Sequence, residues 1–173
     1  VEGIVGPFFI ASALLALAGG AKLARPEPTS GALKSVGLPG NRTIAQAMGA
    51  AEVLLGAVAL VVGGVVPAIA VAAAYLGFAG FVAIALRAGG AVASCGCFGT
   101  EDSPPTMVHL VLNLIAAATA IGAAAAGIGG VPEVLADQPA FGIPFLGFLL
   151  IGTWFAYLAL SVLPTVIPKA EAR

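Results

Sequence analysis

Residues Pro67 to Arg87 read PAIAVAAAYLGFAGFVAIALR, an uncharged run closed by a single arginine. A helix rises about 1.5 Å per residue, so a run of this length covers the roughly 30 Å hydrocarbon core of a bilayer. Its one proline stands at the front, where a helix tolerates it. Four further stretches of the same character surround it. The spans read as about 4–23, 43–62, 67–87, 105–127 and 141–162. This pattern places the chain in the all-α class, as an integral membrane helical bundle.

Composition agrees. Of the 173 residues, 60% are hydrophobic and 9% charged, against about 25% charged in an ordinary soluble domain. Mean hydropathy is +1.10. The formal net charge of −1 lacks the basic footprint that nucleic-acid binding demands, so no nucleic-acid partner is expected. The opening Val1-Glu2-Gly3 has no positive start of a signal peptide, and the apolar run behind it reads as a membrane segment. No internal repeat divides the chain, which reads as a single transmembrane domain over 1–173. Membrane lipid is its first expected partner.

Between the first two spans lies a polar stretch broken by Pro26, Pro28, Gly31, Pro39 and Gly40, with room for a short interfacial turn of helix at Thr29–Lys34. Asn41 reads as the N-cap of span two, and Ser103-Pro104-Pro105 as the cap and first turn of span four. Small residues such as Gly49, Gly56, Gly77 and Gly80 predict close helix approach and a compact bundle. The aromatics Phe78, Phe81, Phe141, Phe145, Phe148, Trp154, Phe155 and Tyr157 read as lipid-facing or interfacial side chains.

Basic residues orient the chain. Lys22, Arg25, Lys34 and Arg42 flank the first loop, Arg87 borders the third, and Lys169 and Arg173 follow span five. With five spans these regions share one side, whereas Glu2, Glu133 and Asp137 lie on the other. The reading is a multi-pass protein of the cell membrane with its N-terminus outside and its third loop and C-terminus in the cytoplasm.

That third loop, residues 88–103, holds Ser94-Cys95-Gly96-Cys97-Phe98-Gly99 and with it both cysteines of the chain. Two thiols one glycine apart act as a unit, either as a dithiol/disulfide couple or as two soft metal ligands. A Cys-X-Cys disulfide closes a small strained ring, and strained bridges are labile. The plainer reading is a pair of apolar thiols packed in a tight loop.

Three polar residues stand out among the spans. Glu52 falls near the middle of span two, where a carboxylate costs several kcal/mol and faces the bundle interior. It is either a structural hydrogen-bonding group or a functional one, with His109 or Lys22 as candidate partners. Lys22, near the end of span one, reads as a snorkelling interfacial lysine. His109 is the only histidine and follows the cysteine loop, sharing a helical face with Asn113 and Thr106. It is placed to deprotonate a thiol, to complete a Cys-Cys-His metal site with Glu101 or Asp102 nearby, or simply to hydrogen-bond at the interface.

Taken together, Ala21-Lys22-Leu23, Glu52, and above all Cys95-Gly96-Cys97-Phe98-Gly99 followed by His109 and Asn113 resemble the methylamine-utilisation MauE family and the related DoxX-like membrane proteins. The resemblance runs over about residues 4–127. It implies a four-helix core, with the fifth span outside it, and a role in thiol–disulfide handling that matures an exported partner protein alongside a thioredoxin-fold protein. Family members often carry an arginine just before the asparagine; here Leu112 stands in its place.

Three functions compete. In a thiol–disulfide oxidoreductase, Cys95 and Cys97 carry the exchange, His109 assists proton transfer and Glu52 is the candidate proton carrier within the membrane. A non-catalytic accessory subunit of a larger membrane complex would use the loop for docking. A Cu(I) or Zn(II) site would draw on Cys95, Cys97 and His109. The redox reading needs no cofactor. It meets a topological tension, because positive-inside orientation puts the thiols at the cytoplasmic side whereas exported proteins form disulfides outside. A re-entrant passage of Ala88–Ser94 would reconcile the two.

Overall fold

A computed structural model describes residues 2–88, 105–136 and 138–162. Its helices are α1 (Glu2–Ala24), α2 (Glu27–Ser35), α3 (Arg42–Val61), α4 (Val65–Arg87), α5 (Met107–Ala126), α6 (Val131–Ala136) and α7 (Ile143–Ser161), with a 3-10 turn at Pro139–Gly142. Among the described residues five helices, α1, α3, α4, α5 and α7, are long and apolar enough to cross a membrane. The only β-type pairing described is an isolated bridge between Gly63 and Gly129. The all-α membrane bundle read from the sequence is the fold observed.

Local signals start and stop these helices. The Asn41 side chain accepts a hydrogen bond from the Ile44 N–H at 2.8 Å, satisfying one of the donors left open at the start of α3. Helix α5 ends on Gly127 in the left-handed conformation, which a Cβ would strain. Its start differs from the sequence reading. The cap is Thr106, in extended conformation; Ser103, the cap expected from the sequence, lies outside the described residues. The polar stretch after α1 holds more than a turn: α2 is a nine-residue helix whose Thr29, Ser30, Ala32 and Leu33 are buried.

Packing is built on two antiparallel pairs, α1 with α3 and α4 with α5, with α7 laid along α1. Between α1 and α3 the backbones nearly touch. A Cβ on Gly19 would lie 2.5 Å from the Gly49 carbonyl oxygen, and one on Gly56 would lie 2.5 Å from that of Ser12. Only glycine permits that approach, which gains dispersion along the whole contact. The α4–α5 pair is joined by alanines instead, Ala68, Ala72 and Ala79 facing Ala117, Ala120 and Ala123 in the core. Tyr75 ties the pairs together, its hydroxyl donating to the Ala11 carbonyl at 2.7 Å.

Every long helix keeps large apolar side chains outward. Leu54, Val66, Leu150, Trp154 and Phe155 are each at least 60% exposed, a surface that belongs against lipid. Helix α7 buries only Leu149 among its side chains, though Phe145 meets Phe9 edge-on with ring centroids 6.3 Å apart. So Phe145 is a packing residue, while Trp154 and Phe155 match the lipid-facing reading.

Gly49→Ala and Gly56→Ala should each lower stability by about 1–3 kcal/mol through overpacking. Gly20→Ala adds a methyl that meets nothing within 4 Å and should leave stability unchanged within about 0.5 kcal/mol. Thermal unfolding in detergent, followed by circular dichroism, checks the contrast.

Candidate functional site

Glu52 sits on α3 between Gly49 and Gly56, so the carboxylate projects into the closest part of the α1–α3 contact. There it meets Lys22 from the last turn of α1, with Nζ 2.6 Å from Oε2 and both side chains about 5% exposed. Lys22 is therefore not a snorkelling lysine; its ammonium turns inward. Of the two partners considered for Glu52, the structure selects Lys22. The ammonium also lies 5.3 Å from the Phe78 ring centroid on α4, a distance at which the ring's negative face attracts a cation. The second carboxylate oxygen, Oε1, is buried without a hydrogen-bond partner among the described residues.

His109 is 1% exposed and occupies the third position of α5. Its Nδ1 accepts the Thr106 N–H at 3.2 Å and lies 3.0 Å from the Thr106 hydroxyl. This is a capping box in which histidine fills the place that glutamate or glutamine takes elsewhere. The acceptor role of Nδ1 assigns the proton of the neutral ring to Nε2, and the Leu160 backbone of α7 lies beside the ring. His109 thus stands between the start of α5 and the end of α7. One turn on, Asn113 is 6% exposed.

These groups converge on one cavity of about 310 Å³, lined by α1, α2, α3, α4, α5 and the end of α7. Lys22, Tyr75, His109 and Asn113 contribute its polar wall; Leu14, Leu33 and the rings of Phe78 and Phe81 are among its apolar lining. Phe78 and Phe81 accordingly face a cavity as well as the bundle's outer side. All contributing helix ends belong to one end of the bundle: the C-termini of α1, α4 and α7 and the N-termini of α2 and α5. Cys95 and Cys97 lie outside the described residues, in the segment between Ala88 and Pro105.

The sequence-derived candidates therefore separate. Glu52 reaches the cavity through Lys22, whereas His109 lines it directly. Tyr75 was missed as a site residue. A lone tyrosine in an Ala/Gly-rich span was the available signal, since a buried hydroxyl demands a partner.

Breaking the ion pair from either side strands a buried charge. Lys22→Met and Glu52→Met should each destabilise the protein by about 3 kcal/mol or more, and the double variant should recover most of that loss. Thermal inactivation of monodispersity on size exclusion, compared across the four proteins, measures the coupling.

No curated protein and no solved structure matches the chain. The family model described as methylamine utilisation protein MauE matches residues 3–129, a stretch that contains α1 to α5. With that match over most of its length, and with five helices fit to cross a bilayer, this multi-pass membrane protein belongs to the MauE family.

Proposed function

We propose that the protein carries out thiol–disulfide exchange through Cys95 and Cys97 in the maturation of a partner protein, working with a thioredoxin-fold protein. The observation that carries this reading is the Cys95-Gly96-Cys97 pair inside the stretch that matches the MauE family. The thiolate of one cysteine attacks a sulfur of the partner's disulfide, and the other partner sulfur leaves as a thiolate. The second cysteine then attacks the mixed disulfide. The partner departs as a dithiol and the chain retains a Cys95–Cys97 disulfide, with two electrons passed to the partner. Run in reverse, the same steps oxidise the partner.

His109 serves as the proton-transfer group and Glu52 as the proton carrier within the membrane. Supporting the first role, His109 stands at the start of α5, directly after the loop. Its Nδ1 takes up a proton only by giving up the Thr106 N–H, since a protonated ring has no acceptor. Supporting the second, Glu52 Oε1 has no hydrogen-bond partner among the described residues. The distribution of Lys and Arg favours an outside N-terminus and a cysteine loop on the cytoplasmic side of the cell membrane.

Labelling with a membrane-impermeant maleimide from each side of sealed vesicles, before and after reduction, tests the reading. A Cys95–Cys97 disulfide that forms and opens reversibly is expected, and Cys95→Ala or Cys97→Ala alone should arrest exchange at a mixed disulfide or abolish it. Thiols that stay reduced under oxidising conditions would sink the redox function, and the side that labels fixes the orientation.

A further inference from the structure

The Asn113 amide lines the cavity with a hydrogen-bonding capacity that the described residues leave unused. It is 6% exposed and lines the cavity, yet among the described residues no hydrogen bond engages it. Burying an amide with its hydrogens unmatched is costly. At about 310 Å³ the cavity falls within the roughly 300–1,000 Å³ range of small-molecule pockets, which combine apolar walls with a few convergent polar groups.

We infer that this cavity binds a flat, uncharged, carbonyl-bearing lipophile, whose carbonyl accepts a hydrogen bond from the Asn113 amide. Three observations specify the class. First, the one ammonium on the cavity wall, Lys22, is already matched by Glu52 at 2.6 Å, so no net charge is left there for a charged head to neutralise. Second, Tyr75, Phe78 and Phe81 line the space, and aromatic side chains favour a flat ring in offset or edge contact. Third, the α4 wall includes Ala73 and Gly77, both exposed. At that point the wall has almost no side chain and the cavity opens toward the lipid, the phase from which such a ligand would enter. Cys95 and Cys97 take no part in this inference, although His109 lines the same cavity.

The full chain in lipid nanodiscs should bind menadione (2-methyl-1,4-naphthoquinone) saturably and one to one, above its partition into empty nanodiscs. A Cβ on Gly77 meets nothing within 4 Å, so Gly77→Leu narrows the opening without disturbing the helix contacts. It should weaken binding at least tenfold, as should Asn113→Leu. Gly80→Leu, on the same helix with equally open space but off the cavity wall, should bind like the parent. Palmitate should not compete. Absence of saturable binding by monodisperse protein would overturn the inference. So would affinity indifferent to both Gly77→Leu and Asn113→Leu, or displacement by palmitate, which would mean an anionic ligand.

Discussion

The buried ion pair between Lys22 and Glu52 is the constraint to which the rest of the bundle answers. Removing two charges from water costs several kcal/mol each, and only close contact with further compensation recovers it. Helices at ordinary separation would not bring these two together, because Glu52 emerges where α3 presses hardest on α1. The glycines at 19, 49 and 56 remove the side chains that would hold the backbones apart, and the carboxylate then meets the ammonium at 2.6 Å. Phe78 adds a third partner from α4. A structural contact and an electrostatic one thus share the same few residues, so neither can be altered without the other.

This pairing makes the two ends of the bundle unlike. At one end, Gly64 N–H donates to the Ile128 carbonyl at 2.6 Å and Gly63 runs against Gly129, so the α3–α4 turn is stitched to the end of α5 by backbone alone. A Cβ at Gly63 has no room there, and its φ of 65° is one that glycine favours. At the other end the helices splay around a cavity, and polar side chains replace backbone contacts as the organising groups. Helix α2 folds back to form part of that cavity's wall through Thr29, Ala32 and Leu33, which explains why a short, Pro-flanked segment buries one face.

The membrane class, the spanning helices and the cost of Glu52 were legible because each is a one-dimensional property: run length, hydropathy, a charge in an apolar window. The Asn41 cap was legible for the same reason, as a local signal. What was not legible required distance in space. Lys22 and Glu52 are thirty residues apart, and nothing in the sequence near Lys22 distinguishes a lysine that snorkels outward from one that turns inward. The capping role of His109 was hidden because histidine is an unusual residue at that helical position, and because Ser103 offered a more conventional cap two prolines too early. The aromatics divided by location alone: Phe78 and Phe81 on the cavity, Phe145 against Phe9, Trp154 and Phe155 toward lipid.

Helix α7 shows why the fifth span belongs to the site although the family match ends at residue 129. It buries little of its own surface, so it adds modestly to the core. Its last turn nevertheless adds Leu160 to the cavity wall, beside His109. His109 is in consequence fixed by the Thr106 amide at Nδ1 and stands beside the last turn of α7. A glutamate at that position would cap α5 equally well, but while ionised it carries no donor. Imidazole can accept with one nitrogen and keep a donor on the other, so the same side chain caps α5 and still offers an N–H on the side of the cavity. Because a second proton on the ring would remove the acceptor at Nδ1, the same residue ties the protonation of a buried site to the cap at the head of α5. Thr106 and Pro105, the first described residues after the cysteine segment, are the part of the chain that such a change would reach first.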